Sequence, residues 1–143
     1  MPINSSVYHF IDANLIMYSL GGSHPLKAPC QNILQKIRSE EILAVTNTEV
    51  LQEILHRYFS IGKSEMAEIA YTSMSRICHS VYPVTVAETD RALSLMKKNP
   101  TITSRDAIHA ATMINRGIKQ IISTDSHFDL IPEIKRIEPQ RLT

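Results

Sequence analysis

Val7-Tyr8-His9-Phe10-Ile11-Asp12 (VYHFID) is a short β-type run that ends on a carboxylate, and a helix-compatible stretch, Ala13–Leu20, follows it until Gly21-Gly22 stops it. The same order returns near the other end of the chain, where Lys119–Ser123 (KQIIS) reads as a strand and leads into Thr124-Asp125. In open parallel sheets, ligands bind outside the carboxyl ends of the strands, where the strand order reverses. Asp12 and Asp125 therefore stand where a functional group is expected. The bland alternative for each is a turn or N-cap residue, a role that Asp also favours.

Between these two segments, strands and helices alternate. Pro25 opens a helix, Leu26 to Arg38, with Ile33, Leu34 and Ile37 at helical spacing, and Glu41–Val45 (EILAV) is the next strand. Thr46-x-x-Glu49 has the spacing of a capping box just before the apolar stripe Val50, Leu51, Ile54, Leu55, Tyr58 and Phe59, so a helix is expected to start there. Gly62 ends that helix and Lys63–Cys78 forms another. Ser80–Val84 is a third strand, and Pro83 within it points to a sheet edge, because proline cannot donate to a ladder. Val86 to Lys98 is helical up to Asn99-Pro100. Thr103 or Ser104 then caps a helix from Arg105 to Asn115 that Gly117 stops. Ala107, Ala110 and Ala111 give that helix a small-residue face suited to close packing. Ile134–Ile137 is a candidate fifth strand. The pattern predicts an α/β sandwich around a mostly parallel sheet, in one domain spanning 1–143.

Bulk properties narrow the function classes. With 143 residues, 43% hydrophobic and 20% charged, the chain is an ordinary globular sequence. Trp is absent and aromatics are 6%, which leaves few stacking platforms for single-stranded bases. Fifteen Lys+Arg against fourteen Asp+Glu give a net charge of +1, so no global basic field marks a nucleic-acid partner. A nuclease remains compatible, since metals supply positive charge locally. Cys30 and Cys78 carry no CxxC spacing and are expected as buried free thiols. Met1–Ser6 lacks a signal peptide's basic start and apolar run, and no 18-residue apolar stretch occurs, so the chain reads as cytoplasmic with no membrane partner.

Two further acids join Asp12 and Asp125. Asp106 falls in the first turn of its helix, where complementing the helix dipole is a sufficient structural role. Arg105 beside it either pairs with that carboxylate or contacts a phosphate. Glu49 and Glu53 share one helix face. Glu49 is explained by the capping box, whereas Glu53 lies beyond the first turn, with an exposed pair to Arg57 as its bland role. Two carboxylates about 5 Å apart repel by roughly 3 kcal/mol at an effective dielectric of 20. Four brought together therefore call for a hard cation such as Mg²⁺ or Mn²⁺, which activates water and stabilises charge on a phosphate during in-line displacement.

Four segments, Phe10–Asn14 (FIDAN), Thr46–Ile54 (TNTEVLQEI), Ser104–Ala111 (SRDAIHAA) and Ser123–Phe128 (STDSHF), in this order and spacing, resemble the PIN-domain family and within it the VapC-type toxin ribonucleases. The resemblance covers about residues 7–138. It implies a three-layer α/β/α sandwich with sheet order 3-2-1-4-5, and a site in which Asp12, Glu53, Asp106 and Asp125 hold one or two Mg²⁺ or Mn²⁺ ions. The family's glutamate lies seven residues after the Ser/Thr closing strand 2, a spacing that Thr46 to Glu53 meets. By the same likeness, Asn14 and Thr124 orient carboxylates or water, and Asp129 adds an outer carboxylate. His24 is a candidate RNA contact beside Arg105, with Arg57, Lys97, Lys98 and Arg116 as scattered cations. A homodimer and a small antitoxin are the implied protein partners.

The expected activity is a Mg²⁺/Mn²⁺-dependent endoribonuclease acting as the toxin of a toxin–antitoxin pair. Its rival from another class is a non-catalytic PIN-like module that binds RNA or protein. Asp12-Ala13-Asn14 lacks the second aspartate of a haloacid-dehalogenase-like nucleophile motif, and no GxxxxGK[ST] loop is present.

Overall fold

The computed structural model describes residues 7–142. The N-terminal segment Met1–Ser6, read above for a targeting signal, lies outside the described residues. Five strands, β1 (Tyr8–Ile11), β2 (Leu43–Asn47), β3 (Ser80–Tyr82), β4 (Gln120–Ile122) and β5 (Lys135–Ile137), form one sheet in the order β3-β2-β1-β4-β5. Every neighbouring pair is parallel, with Phe10 opposite Val45 on one side and Ile121 on the other. The edge position expected of the Pro83 strand is the one β3 takes.

Among the described residues six α-helices connect the strands: α1 (Ala13–Leu20), α2 (Lys27–Arg38), α3 (Thr48–Ser60), α4 (Ser64–Ile77), α5 (Val86–Lys98) and α6 (Ser104–Arg116). Parallel crossovers are right-handed in nearly all proteins. The steps β1 to β2 and β2 to β3 run one way across the sheet, while β3 to β4 runs back past β1. That puts α1–α4 on one face and α5–α6 on the other, giving three layers, and the packing of α1 on α2, α3 on α4 and α5 on α6 agrees. The reversal falls between β1 and β4.

The sheet centre carries the core. Phe10, Ile11, Val45, Ile121 and Ile122 are fully buried, as are Ile33, Ile54, Met74 and Phe128 from the flanking segments. Each such side chain contributes about 1.5–3 kcal/mol relative to exposure. Ala107, Ala110 and Ala111 have no exposed surface, which lets α6 lie close against its neighbours. Gly117 ends α6 in the left-handed conformation at φ 71°, where a side chain would be strained. Cys30 and Cys78 are buried and free. Among the described residues no helix is long and apolar enough to cross a membrane.

One helix start differs from its sequence reading. The strand β2 runs on to Asn47, which pairs with Tyr82 of β3, so α3 begins at Thr48 rather than Thr46. Asn47 is the cap, its Oδ1 accepting the Val50 N–H at 2.9 Å. The Thr46 hydroxyl instead donates to the Ile11 carbonyl at 2.9 Å, tying β2 to the end of β1. Glu49 is thereby released from the capping role assigned to it.

Candidate active site

Each of the four acids is delivered by a different element, and all four line one cleft of about 440 Å³ at the carboxyl edge of the sheet. Asn14, Glu49, Arg57, Thr103, Ser104, Arg105, Ile108 and His109 complete its walls.

Asp12 leaves β1 at the N-cap position of α1, yet its side chain makes no capping hydrogen bond. The carboxylate turns to β4, where Oδ2 accepts the Ser123 hydroxyl at 2.6 Å, and the buried Oδ1 is left without a partner. Burial is the main force on its acidity, and the nearby Glu53 and Asp125 add to it. They outweigh the Ser123 hydrogen bond and the His109 ring and raise the pKa to about 6.

Asp106 sits in the first turn of α6 because Thr103 caps that helix, its Oγ1 accepting the Asp106 N–H at 3.2 Å. Asp125 follows β4 and caps a short 3-10 turn, Ser126–Leu130, by accepting the His127 N–H at 2.9 Å. The two carboxylates meet across the β1/β4 reversal, and with His127 they present ligand atoms within 4.8 Å of one another. The His127 Nδ1 lies 3.1 Å from Asp125 Oδ1 and 3.9 Å from Asp106 Oδ2. Desolvation first, and then the neighbouring Asp125 carboxylate, raise the Asp106 pKa to about 7. The crowding of these two carboxylates favours a proton or a cation beside them.

Glu53 projects from α3 into the same cleft. Burial works against its charge, but His109, Arg105 and Arg57 together outweigh burial and hold the carboxyl below its usual range. Arg105 does not turn to Asp106: its Nε lies 3.4 Å from Glu49 Oε1 and 3.6 Å from Glu53 Oε1. Glu49, set aside on the sequence as a capping residue, thus shares the cleft's only described guanidinium–carboxylate cluster with Glu53.

The outer residues separate clearly. Asn14 lines the cleft. Thr124 makes no hydrogen bond to the four acids among the described residues, and the adjacent Ser123 takes the orienting position instead, since Oγ also accepts the Asp125 N–H at 3.0 Å. Asp129 stands off the cleft and grips Arg136 with both oxygens, each at 3.0 Å, while Arg136 donates to the Ser123 carbonyl at 3.2 Å. His24 does not line the cleft: its ring lies 4.7 Å from that of Tyr18 and its Nδ1 accepts the Leu26 N–H at 3.0 Å. Of the scattered cations, Arg57 and Arg105 open on the cleft, whereas Arg116 lies 4.6 Å over the Tyr82 ring. Sequence reasoning missed Ser123, His109 and His127. The segments SRDAIHAA and STDSHF contain all three, and helical spacing from Asp106 to His109 was the available signal.

Comparison with known proteins agrees with this architecture. The PIN-domain family model matches residues 9–134. A VapC ribonuclease of Mycobacterium bovis is 35% identical over 127 residues, covering 89% of this chain and 97% of that protein. The crystal structure of VapC20 of Mycobacterium tuberculosis, described as a sarcin-ricin loop cleaving toxin, superposes with a TM-score of 0.70 at 16% identity, covering 86% of this chain and 94% of that one. A toxin–antitoxin complex from Klebsiella pneumoniae gives 0.65 at 14% identity, over 92% and 97%. With a family match across nearly the whole chain, a sheet in the order 3-2-1-4-5 and acids from four elements opening on one cleft, the chain belongs to the PIN-domain family.

Proposed function

We propose that this cleft is the active centre of a divalent-metal-dependent endoribonuclease, the toxin of a toxin–antitoxin pair. The observation that carries the reading is the unpartnered, buried Asp12 Oδ1 in a cleft that Glu53, Asp106 and Asp125 also line. A buried carboxylate oxygen without a donor is costly unless a cation or proton takes its place. The donor set fits a hard cation: carboxylate oxygens, with water as the remaining ligand, suit Mg²⁺ or Mn²⁺. Asp12, Asp106, Asp125 and Glu53 would hold one or two such ions. When bound, the ion activates water and offsets negative charge on the phosphate.

The protein's own groups do the rest. Ser123 fixes one oxygen of Asp12 and leaves the other without a partner. Arg105 and Arg57 put positive charge along the α3 side, where a phosphodiester backbone is held by charge-assisted hydrogen bonds. RNA hydrolysis leaving 5′-phosphate and 3′-hydroxyl ends is the expected outcome. The ribonuclease relative at 35% identity supports the substrate class. The toxin–antitoxin complex sharing the fold supports a small antitoxin as partner, and a second copy of this chain is the expected dimer mate.

The test is cleavage of structured and unstructured RNA, with a DNA of the same sequence alongside, in Mg²⁺ or Mn²⁺. Asp12→Asn should lower the rate at least about a hundredfold with an unchanged circular dichroism spectrum, and chelation should abolish activity. Wild-type rates in Asp12→Asn, or undiminished cleavage in a chelator, would overturn the reading. Tight metal-independent RNA binding without cleavage would establish the binding-module alternative.

A further inference from the structure

His109 is 1% exposed and its Nε2 has no hydrogen-bond partner, although the ring lines the acidic cleft. Which nitrogen carries the proton follows from the groups on the ring's other side. Asn47 Oδ1 accepts the Val50 N–H at 2.9 Å, so the amide nitrogen is the atom facing Thr112 and His109. The Thr112 hydroxyl donates its proton to the Ile108 carbonyl at 2.9 Å and therefore only accepts from Asn47 Nδ2, at 2.9 Å. The second amide proton is left for His109 Nδ1 at 3.2 Å. Nδ1 must then be the bare nitrogen, and the ring proton sits on Nε2.

That N–H faces Glu53 Oε1 at 3.9 Å, too far for a hydrogen bond and close enough to become one with a small side-chain movement. A protonated nitrogen has no lone pair for a metal. Turning the ring into a ligand would put a proton on Nδ1 against the Asn47 N–H, two donors face to face. The Asn47 cap of α3, the Thr112 hydroxyl of α6 and the ring thus form one set that presents a donor, not a ligand, to the cleft.

We propose that His109 is a positioning residue, locked by Asn47 as the Nε2–H tautomer, whose N–H closes on the Glu53 carboxylate and aims it when the cleft takes up a divalent cation. The inference rests on the metal reading above and assigns a role outside the four acids. Partners that orient metal-binding carboxylates typically change affinity 10–100-fold when removed.

Two measurements test it on the full chain. Histidine-labelled protein, with the His109 resonances assigned by their loss in His109→Gln, should show the Nε2-protonated ring by two-bond ¹H–¹⁵N NMR at pH 7.5, and should keep that pattern in saturating Mg²⁺. In calorimetric titration with Mg²⁺, His109→Leu should bind about tenfold more weakly. His109→Gln, whose amide N–H reaches the same position, should stay within about threefold of wild type. An Nδ1-protonated ring, or loss of the Nε2 proton on Mg²⁺ binding, overturns the proposal whatever the affinities of the variants. Equal affinity in His109→Leu and wild type overturns it as well. A wild-type protein that binds no Mg²⁺ overturns the metal reading itself, and the inference falls with it.

Discussion

The Ser123 hydroxyl serves both ends of the β1/β4 reversal, donating to Asp12 Oδ2 and accepting the Asp125 N–H. Its own carbonyl is gripped by Arg136, which Asp129 holds in place. Removing the hydroxyl leaves a buried carboxylate with one donor fewer, a change that raises the cost of its charge. Ser123→Ala is therefore expected to lower Mg²⁺ affinity about tenfold, measured by calorimetry. Thr124→Ala should change it less than about twofold, and a larger loss in Thr124→Ala than in Ser123→Ala would refute this division of labour. Asp12, Asp106 and Asp125 fall at element boundaries that short-range pattern reveals, whereas Glu53 lies inside α3 and is singled out by the family's spacing from Thr46. The family likeness names Thr124 and passes over Ser123, since adjacent residues in an STD turn look alike until the direction of each hydroxyl is known.

At the scale of elements, the same Thr-x-x-Glu signature occurs twice with opposite outcomes. At Thr46 it is not a cap: the β3 strand pairs with β2 as far as Asn47, and that pairing decides where α3 begins. At Thr85 it is a full capping box, with Glu88 Oε1 accepting both the backbone N–H and the hydroxyl of Thr85 at 2.8 Å. Glu88 Oε2 also accepts the Asn115 amide at 2.8 Å, and Asn115 Oδ1 accepts from Arg91 at 2.6 Å, so the start of α5 is fastened to the end of α6. Glu88 is 4% exposed, and losing several hydrogen bonds to one buried carboxylate costs roughly 2 kcal/mol. Glu88→Ala should lower the urea midpoint accordingly at an unchanged m-value. An unfolding free energy within about 0.3 kcal/mol of wild type would show that the two helices do not depend on this link. Strand pairing is a long-range fact, which is why a local capping rule failed at one site and would have succeeded at the other.

For the molecule as a whole, the acids of the cleft couple folding to pH. Asp12 and Asp106 have folded pKa values raised to about 6 and about 7 from 3.8, so between pH 4 and 7 the native state holds protons that the unfolded chain has released. Stability then falls as pH rises through the folded values. His9 works in the opposite sense: burial lowers its pKa, so its contribution is lost as pH falls below about 6.5. From about pH 6.5 to 8 the acids outweigh His9, although the unfolded His9 is still partly protonated at the lower end. There the chelator-treated protein should lose about 0.5 kcal/mol, or about 1–2 °C in melting temperature. Saturating Mg²⁺ should remove that slope, because the cation replaces the protons. Melting curves in chelator that stay flat across this window would show that the carboxylates are not crowded as described. The sheet order and its parallel pairing followed from alternation of segments and from family likeness. The crowding of Asp106 against Asp125 did not, because it depends on a distance between residues far apart in sequence.

The Ser123–Asp12 hydrogen bond also has a consequence for the timing of synthesis. A ribosome makes the strands in the order 1, 2, 3, 4, 5, whereas the sheet sets β4 directly against β1. A nascent chain that has emerged only through α6 holds Asp12, Glu53 and Asp106 but neither the hydroxyl that orients the first nor the carboxylate that pairs with the last. Arg136, which braces the Ser123 carbonyl, comes later still, on β5. The cleft is therefore completed only after β4 and β5 have left the exit tunnel, and a growing chain cannot assemble it while β4 is still being translated.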